Sequence, residues 1–394
     1  MAFVFKKQIF GWQDMLRFKH LTKKRKEMIE SASTTPLPTT YKVNEVAKSL
    51  HPKLLHVMVV ATKTLSHDTK MYTLNIDPSY PEEHFPYFRP GQYVSVSMNI
   101  RKNRISRPYA IVSSPAEALK GIMRIAVKKT GGIMSTYFFN SVHKGDKFTI
   151  SGACGNFYYE PLRDTKDVLF VAGGSGITPF ISMAHDFKDT KADVRLTILY
   201  GSKTKEDILF YDELETLKSK NCKVIHVLSD EKLDGFHHGF IDRVLLERYI
   251  GGRDVTVFAS GSENMYAFLR KELQALSIPD YRLHLEANPA GTLPETNYKT
   301  YRAVITIRDR KYYIKTRSNE TLLTAMERAN IAAPNHCRSG SCGYCHSKLV
   351  SGDVYIPESK DGRRLADLKF GYIHPCVTYP RSDVKLIVPF QERK

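Results

Sequence analysis

At 394 residues the chain has room for two or three domains, and its 42% hydrophobic and 25% charged residues are the composition of an ordinary soluble globular protein. No apolar run approaches the roughly 20 residues that cross a bilayer, the N-terminus lacks the small-residue cleavage site of a secretory signal, and six cysteines without paired spacing exclude a disulfide framework and point to a reducing interior. The net charge of +18 is carried largely at the two ends: residues 1–30 hold eight Lys/Arg against three acids, and residues 300–394 hold 17 against nine.

The first 52 residues read as a basic amphipathic extension and linker. Phe5, Ile9, Trp12 and Leu16 lie at i, i+4, i+7 and i+11, one stripe of a helix, and Lys23-Lys24-Arg25-Lys26 follows. Such a helix either packs on the protein or lies against an anionic membrane face. Ser31–Thr40, with Pro36 and Pro38, reads as the linker. Residues 53–162 then show short strand patterns at close spacing, over His56–Thr64, Met71–Ile76, Gln92–Ile100, Tyr109–Ser113, Met123–Val127 and Lys147–Ser151, separated by glycine-containing turns. This spacing predicts an antiparallel β-barrel.

Two features of that barrel carry chemistry. Arg107-Pro108-Tyr109-Ala110 sets a guanidinium, which can clamp a phosphate, beside a flat aromatic face. Gly131-Gly132-Ile133-Met134-Ser135 offers backbone N–H groups and a hydroxyl to an anion. Either alone reads equally as an edge strand or a turn. Together, ahead of a dinucleotide domain, they point to a flavin.

Over 163–288 apolar strands (Val168–Ala172, Arg195–Tyr200, Lys223–Leu228, Asp254–Ala259) alternate with helical stretches such as Phe180–Phe187 and Asn264–Ala275, which predicts an α/β domain with a parallel sheet. Gly173-Gly174-Ser175-Gly176-Ile177-Thr178-Pro179 follows the first strand and opens a helix. Its glycines permit close backbone approach and the helix N-terminus favours a pyrophosphate. After the second strand, Ser202, Lys203 and Lys205 suit a 2′-phosphate, whereas Glu206 and Asp207 suit a free ribose hydroxyl, so the sequence leaves NADH and NADPH both open.

Residues 289–299, with Gly291 and Pro294, read as a second linker. In the final segment, 300–394, Cys337, Cys342 and Cys345 form C-x4-C-x2-C, and Cys376 follows after a gap. Three thiolates from one tight loop and a fourth from a distant segment is the plant-type pattern for a 2Fe–2S cluster. Structural zinc would call for paired C-x2-C units, and only one such unit is present. His336, His346 and His374 flank these cysteines, and four thiols make histidine ligands unnecessary.

In this order the barrel, nucleotide and cysteine segments resemble the ferredoxin–NADP reductase superfamily with a plant-type 2Fe–2S ferredoxin fused at the C-terminus, as in the reductase components of oxygenase, desaturase and hybrid-cluster systems. The resemblance covers roughly residues 53–394 and implies a multidomain fold: a flavin-binding β-barrel, a nucleotide-binding α/β domain and an α+β, β-grasp ferredoxin domain. It implies flavin sites at Arg107, Tyr109, Ala110 (where the family has a hydroxyl), Gly132 and Ser135. Nucleotide sites fall at Gly173, Gly174, Gly176, Thr178, Pro179, Gly261 and Met265, and cluster ligands at Cys337, Cys342, Cys345 and Cys376. Tyr109, Ser260 (in place of the family's usual thiol) and Glu286 would surround the hydride-transfer step. The implied cofactors are FAD, with FMN as the alternative, a 2Fe–2S cluster, and NADH or NADPH as substrate. Because hydride delivers two electrons and the cluster accepts one, the flavin belongs between them.

The expected activity is therefore an NAD(P)H-dependent oxidoreductase feeding a separate redox protein. The alternative is an electron-transfer subunit of a larger complex without its own nucleotide turnover. A positive cluster domain predicts an acidic docking face on the partner, and no recognition motif supports nucleic acid. The expected location is cytoplasmic, with peripheral contact at the inner membrane face through residues 1–30.

Overall fold

A computed structural model describes residues 11–34 and 40–390. The chain divides into two units, Met1–Val46 and Ala47–Lys394. In the first, helix α1 (Trp12–Glu30) carries Trp12 and Leu16 of the expected stripe, while Phe5 and Ile9 lie outside the described residues. Lys23–Glu27 and Lys26–Glu30 pair at i, i+4 along it. Trp12, Met15, Leu16, Phe18 and Leu21 are all exposed, Trp12 at 80%. Of the linker expected over Ser31–Thr40, residues 35–39 fall outside the described residues. A second helix, α2 (Lys42–Leu50), follows within the stretch expected to be extension and linker. Its Val43, Val46, Ala47 and Leu50 share one face, at i, i+3, i+4 and i+7.

The larger unit opens on a six-stranded antiparallel sheet in the order β4-β3-β6-β1-β2-β5. Its strands are β1 (Leu55–Ser66), β2 (Thr69–Ile76), β3 (Tyr93–Ile100), β4 (Asn103–Ala110), β5 (Met123–Lys128) and β6 (Lys147–Ile150), with short helices α3 (Pro115–Leu119) and α4 (Ile133–Ser141) between them. The strand expected over Tyr109–Ser113 is displaced: β4 spans Asn103–Ala110 instead. Arg101, in the left-handed region at φ 57°, turns the chain so that Ile100 pairs Asn103, and the register then runs to Tyr93 opposite Ala110. Residues 111–113 close the barrel. Ile111 bridges Ile125, Val112 N–H donates to the Arg124 carbonyl at 2.8 Å, and the Ser113 hydroxyl accepts from Arg124 N–H at 3.0 Å. Inward residues such as Val57, Leu74, Val96 and Ile125 are fully buried, while their neighbours along each strand are more exposed, the period of two that sets the register.

The second domain is a parallel sheet in the order β10-β9-β8-β7-β11-β12. Its elements are β7 (Asp167–Gly173), α5 (Thr178–Asp189), β8 (Arg195–Ser202), α6 (Tyr211–Leu217), β9 (Cys222–Leu228), β10 (His237–His238), α7 (Arg243–Ile250), β11 (Thr256–Ser260), α8 (Glu263–Ala275) and β12 (Leu283–Leu285). Strand β7 lies between β8 and β11, so the strand order reverses at its C-terminal end, where ligands bind in open α/β sheets.

The third domain is a five-stranded mixed sheet, β14-β13-β19-β15-β17, with a two-stranded ribbon β16-β18. It contains β13 (Thr300–Ile307), β14 (Arg310–Arg317), α9 (Leu322–Arg328), β15 (Ser347–Ser351), β16 (Val354–Tyr355), α10 (Leu365–Lys369), β17 (Tyr372–Ile373), β18 (Tyr379–Pro380) and β19 (Val384–Ile387). The parallel pairing of β13 with β19 between antiparallel neighbours, with α9 packed over the sheet, gives it an α+β architecture.

Buried charge closes the seams. Arg124 of β5 donates to Glu117 at 2.7 Å and to Glu213 of α6 at 3.3 Å, and His185 of α5 lies 2.6 Å from the same Glu213 carboxylate. Where the barrel hands over to the parallel sheet, Asp164 accepts from the Arg163 guanidinium at 2.8 Å and from Glu160 N–H at 2.8 Å, and His284 of β12 sits at 2.9 Å. Burial pushes the Asp164 carboxyl up, but the bonds from His284, Arg163 and Glu160 N–H outweigh it and hold its pKa at about 2, below its ordinary 3.8. A depressed carboxylate stabilises the fold above its unfolded pKa and loses that contribution as pH falls through the folded one. Asp164→Asn should therefore cost about 1–2 kcal/mol at neutral pH after solvent screening. In thermal unfolding this should read as a drop in Tm of roughly 2–4 °C, and the gap should narrow as pH is lowered through about 4 toward about 2.

Candidate functional site

A cavity of about 690 Å³ opens at the C-terminal ends of β7, β8 and β9. Gly173, Gly174 and Ser175 form its floor. Gly174 takes φ +54°, a left-handed turn that suits glycine, and a Cβ there would meet nothing. A Cβ on Gly176 would stand 2.1 Å from the Ser260 carbonyl oxygen, so the loop lies directly against the end of β11. Gly176, Thr178 and Pro179 do not line the cavity. Thr178 donates its hydroxyl to the Ser175 carbonyl at 2.8 Å, and Pro179 occupies the first turn of α5, so these two shape the loop. Met265 faces the cavity across Gly173 and Gly261, with its sulfur 2.6 and 2.5 Å from where their Cβ atoms would be. Ser202 also lines it, and its hydroxyl is buried without a protein partner. These features, an uncapped glycine turn, an orphaned hydroxyl and a roomy cleft, fit a dinucleotide. The barrel contributes as well: Lys128 and the β1–β2 turn, His67 and Asp68, reach the same cavity, His67 lying 3.5 Å from Asp207.

At one edge of this region the buried Ser260 donates its hydroxyl to Glu286. Burial raises the Glu286 carboxyl, which the Ser260 bond opposes. From Glu286 the chain runs past both neighbouring sites. Asn288 donates its side-chain amide to the Gly261 carbonyl at 2.8 Å, and Ala290 N–H donates to the Arg338 carbonyl at 2.8 Å. Lys360 donates to the Asn288 carbonyl at 2.9 Å and pairs with Glu263, and Tyr379 donates its hydroxyl to the Gly291 carbonyl at 2.7 Å.

On the barrel, Arg107, Tyr109 and Ala110 lie on β4. The Tyr109 ring packs on Phe138 at 5.7 Å, and burial pushes its phenol up. Gly132 caps α4 with no side-chain bond to the first turn, leaving its N–H groups for an anion, while the Ser135 hydroxyl accepts from Thr130 N–H at 3.3 Å and donates to the Gly132 carbonyl at 3.1 Å. Arg107 directs Nη1 to Glu327 of α9, at 3.0 and 3.2 Å from its two oxygens.

The four cysteines converge. Cys345 Sγ lies 3.4 Å from Cys376 Sγ, and Ser339 and Cys342 N–H groups donate to Cys337 Sγ at 3.4 and 3.5 Å. Hydrogen bonds from the Cys342 and Cys376 thiols hold Cys337 far below the ordinary thiol range, and the bond from Cys376 lowers Cys345. Gly340, at φ +83°, lets the loop approach the Lys360 carbonyl, which a Cβ would meet at 2.2 Å. Among the described residues no three such side chains gather on a single-ion position. Four thiols brought together from one tight loop and a distant segment are the residues that would hold a 2Fe–2S group. Cys337, Cys345 and Cys376 are buried and Cys342 is exposed. The flanking histidines are otherwise engaged: His374 Nδ1 lies 2.7 Å from the Gly340 carbonyl, His346 lies 2.8 Å from Asp367, and His336 packs on Tyr344 at 3.8 Å.

Family models agree with each domain. The oxidoreductase FAD-binding domain matches residues 56–159, the oxidoreductase NAD-binding domain residues 170–271, and the 2Fe-2S iron-sulfur cluster binding domain residues 305–381. The chain therefore carries, in this order, the FAD-binding, NAD-binding and 2Fe-2S cluster binding domains of an oxidoreductase. This reductase is 28% identical over 349 residues to a subunit of the 1,2-phenylacetyl-CoA epoxidase of Escherichia coli (strain K12), covering 84% of this chain and 96% of the relative. To the NADH oxidoreductase HCR of the same organism it is 27% identical over 305 residues, covering 77% and 90%. Its fold matches the solved structure of phthalate dioxygenase reductase with a TM-score of 0.63 at 22% identity, over 86% of this chain and 98% of that one.

Three residues of this reductase carry no signal in the sequence motifs. Tyr93, the first residue of β3, stands opposite Ala110 and also bridges Cys154. Burial pushes its phenol up. Glu327 and Arg338 pair with each other. The one feature that could have found Tyr93 is its position just after the Pro90-Gly91 turn. Glu327 had none, being one acid on a short helix.

The two loop glycines separate by what each would strike. Gly176→Ala drives a Cβ into backbone, and the ~1–3 kcal/mol of such overpacking should raise KM for the nucleotide about tenfold to hundredfold. Gly173→Ala meets only the mobile end of Met265 and should change KM by less than about tenfold. Steady-state kinetics with each variant checks the order.

Proposed function

We propose that this chain is the reductase component of a multi-protein redox system, in which NADH reduces the flavin and electrons leave singly through the 2Fe–2S cluster to a separate acceptor protein. The observation that carries the reading is the stretch Glu286–Ala290, which is bonded to the Ser260–Gly261 end of the nucleotide site and, four residues later, to the cluster loop at Arg338. With the nucleotide site and the cluster loop joined by this stretch, and Arg107 of the barrel joined to the same loop through Glu327, the arrangement suits a relay from a two-electron donor to a one-electron carrier. Ser260, with its hydroxyl committed to Glu286, and Tyr109 on the barrel serve as positioning groups around the hydride step.

NADH fits better than NADPH. Asp207 lines the cavity and accepts from the Thr204 hydroxyl at 3.0 Å, a carboxylate that would repel a 2′-phosphate. Of the two cations in this stretch, Lys205 points its ammonium at the Tyr211 and Phe236 rings, 5.7 and 5.9 Å from their centroids, while Lys203 lines the cavity together with Asp207. FAD is the better candidate flavin, in keeping with the matching family model. An oxygenase is the favoured acceptor class, by analogy with the epoxidase relative, and its docking face would be acidic to match the basic cluster domain. The exposed aromatic and aliphatic side chains of α1, set among its lysines, suit an anionic membrane surface and would bring electron delivery there.

In anaerobic rapid mixing, NADH should bleach the flavin of wild type and of Cys342→Ser at similar rates, while delivery to an external one-electron acceptor should be lost in the variant. A variant whose flavin no longer bleaches would sink the proposed division of labour. Co-sedimentation with anionic liposomes tests the membrane reading: full-length protein should pellet and protein lacking residues 1–40 should stay in solution, whereas equal behaviour of the two would refute a membrane role for α1.

A further inference from the structure

We propose that Glu327 is a positioning residue that latches the ferredoxin domain onto the flavin barrel by serving two arginines at once, one from each redox site. The inference rests on the functional reading above. Glu327 lies on α9, is nearly buried, and accepts from four groups. Arg338 Nη1 and Nη2 approach it in a fork at 2.7 and 3.1 Å, Arg107 Nη1 at 3.0 and 3.2 Å, and Ser106 N–H at 3.3 Å. A bidentate guanidinium–carboxylate pair fixes orientation as well as distance. Nearby, Asn103 of β4 donates to the Arg328 carbonyl at 3.5 Å, so the contact runs along β4 and α9.

Each arginine belongs to a different cofactor. Arg107 sits in the flavin motif, and no hydrogen bond to another described residue uses its Nε or Nη2, which leaves both for an anionic ligand. Arg338 is fully enclosed between Cys337 and Ser339, in the left-handed region at φ 57°, a conformation that a non-glycine residue keeps only when its surroundings enforce it. Without the carboxylate, two guanidiniums would face each other across the seam in a poorly solvated space, and the interface would open.

The step so positioned makes and breaks no bond to protein. With both groups bound, a flavin beside Arg107 would supply electrons one at a time to a cluster held by Cys337, Cys342, Cys345 and Cys376, and the external acceptor would have to take up the first before the second could follow. Glu327 also sets the charge beside the cluster. Neutralising it leaves the Arg338 cation uncompensated, which favours the reduced, more negative cluster and raises its potential.

The test compares wild type, Glu327→Gln and Glu327→Asp in the full chain at saturating FAD. EPR-monitored dithionite titration gives the cluster midpoint, and rapid mixing gives flavin-to-cluster transfer. In Glu327→Gln the cluster equilibrium should shift about tenfold toward reduction, ~59 mV for a one-electron couple. Transfer should nonetheless slow at least tenfold, and slower transfer against a larger driving force is the signature of lost positioning. In Glu327→Asp, which keeps the charge on a shorter side chain, the midpoint should stay at the wild-type value while transfer slows. Wild-type midpoint and transfer in both variants would overturn the latch; if Glu327→Gln fails to fold, unchanged transfer in Glu327→Asp would do so. The dithionite titration needs no nucleotide, so an absence of NADH bleaching in wild type would count against the functional reading alone.

Discussion

A carboxylate withdrawn from water is strongly destabilising unless several donors replace its hydration shell, and the barrel's seams with both other domains meet that demand in the same way. Asp164 is shared by Arg163 and His284, Glu213 by Arg124 and His185, and Glu327 by Arg107 and Arg338. In every case the donors come from more than one stretch of chain. Apolar packing holds each domain together internally, but it is tolerant of small rotations. A charged fork is not, because its bonds weaken steeply with angle. Relative placement of the three domains therefore combines these directional contacts with apolar packing, which runs from Val112 and Phe157 into the core of the nucleotide domain.

The segment between the nucleotide and ferredoxin domains follows from that. Its composition, rich in glycine and proline, resembles a tether, yet Asn288, Ala290, Gly291, Leu293 and Glu295 are all hydrogen-bonded to neighbouring domains. It has no regular secondary structure because its backbone partners lie in other elements. A loop of this kind is ordered by its surroundings and adds to their rigidity.

What the sequence made legible was whatever is local. The C-x4-C-x2-C spacing is a property of nine residues, and the glycine loop after β7 a property of seven, so both could be read directly. The alternation of buried and exposed residues placed most strands, and it failed at β4, where Asn103-Arg104-Ile105-Ser106-Arg107 is too polar for its pattern to show and pairing to β3 decides the matter. Helix α2 is only nine residues long, and its apolar face of Val43, Val46, Ala47 and Leu50 is too short a pattern to stand out beside a proline-rich stretch. Glu327, Arg338 and Tyr93 were invisible as a group because their meaning is tertiary. Glu327 and Arg107 are 220 residues apart in the chain and touch only once two domains have folded and docked. The same holds for the choice among nucleotide-site residues: Thr178 and Pro179 share a motif with Gly173, but the path of the backbone turns them away from the cavity.

The chain contains a single tryptophan, and it is Trp12, four-fifths exposed near the start of α1 and away from every cofactor-site residue in sequence. Intrinsic indole emission therefore reports on one place only. In water an indole so exposed emits at long wavelength, and transfer into an apolar setting shifts it to the blue, without any label or substitution. The protein thus carries its own optical probe of the segment whose role composition alone leaves least defined, readable in the same cuvette as the visible absorbance of flavin and iron.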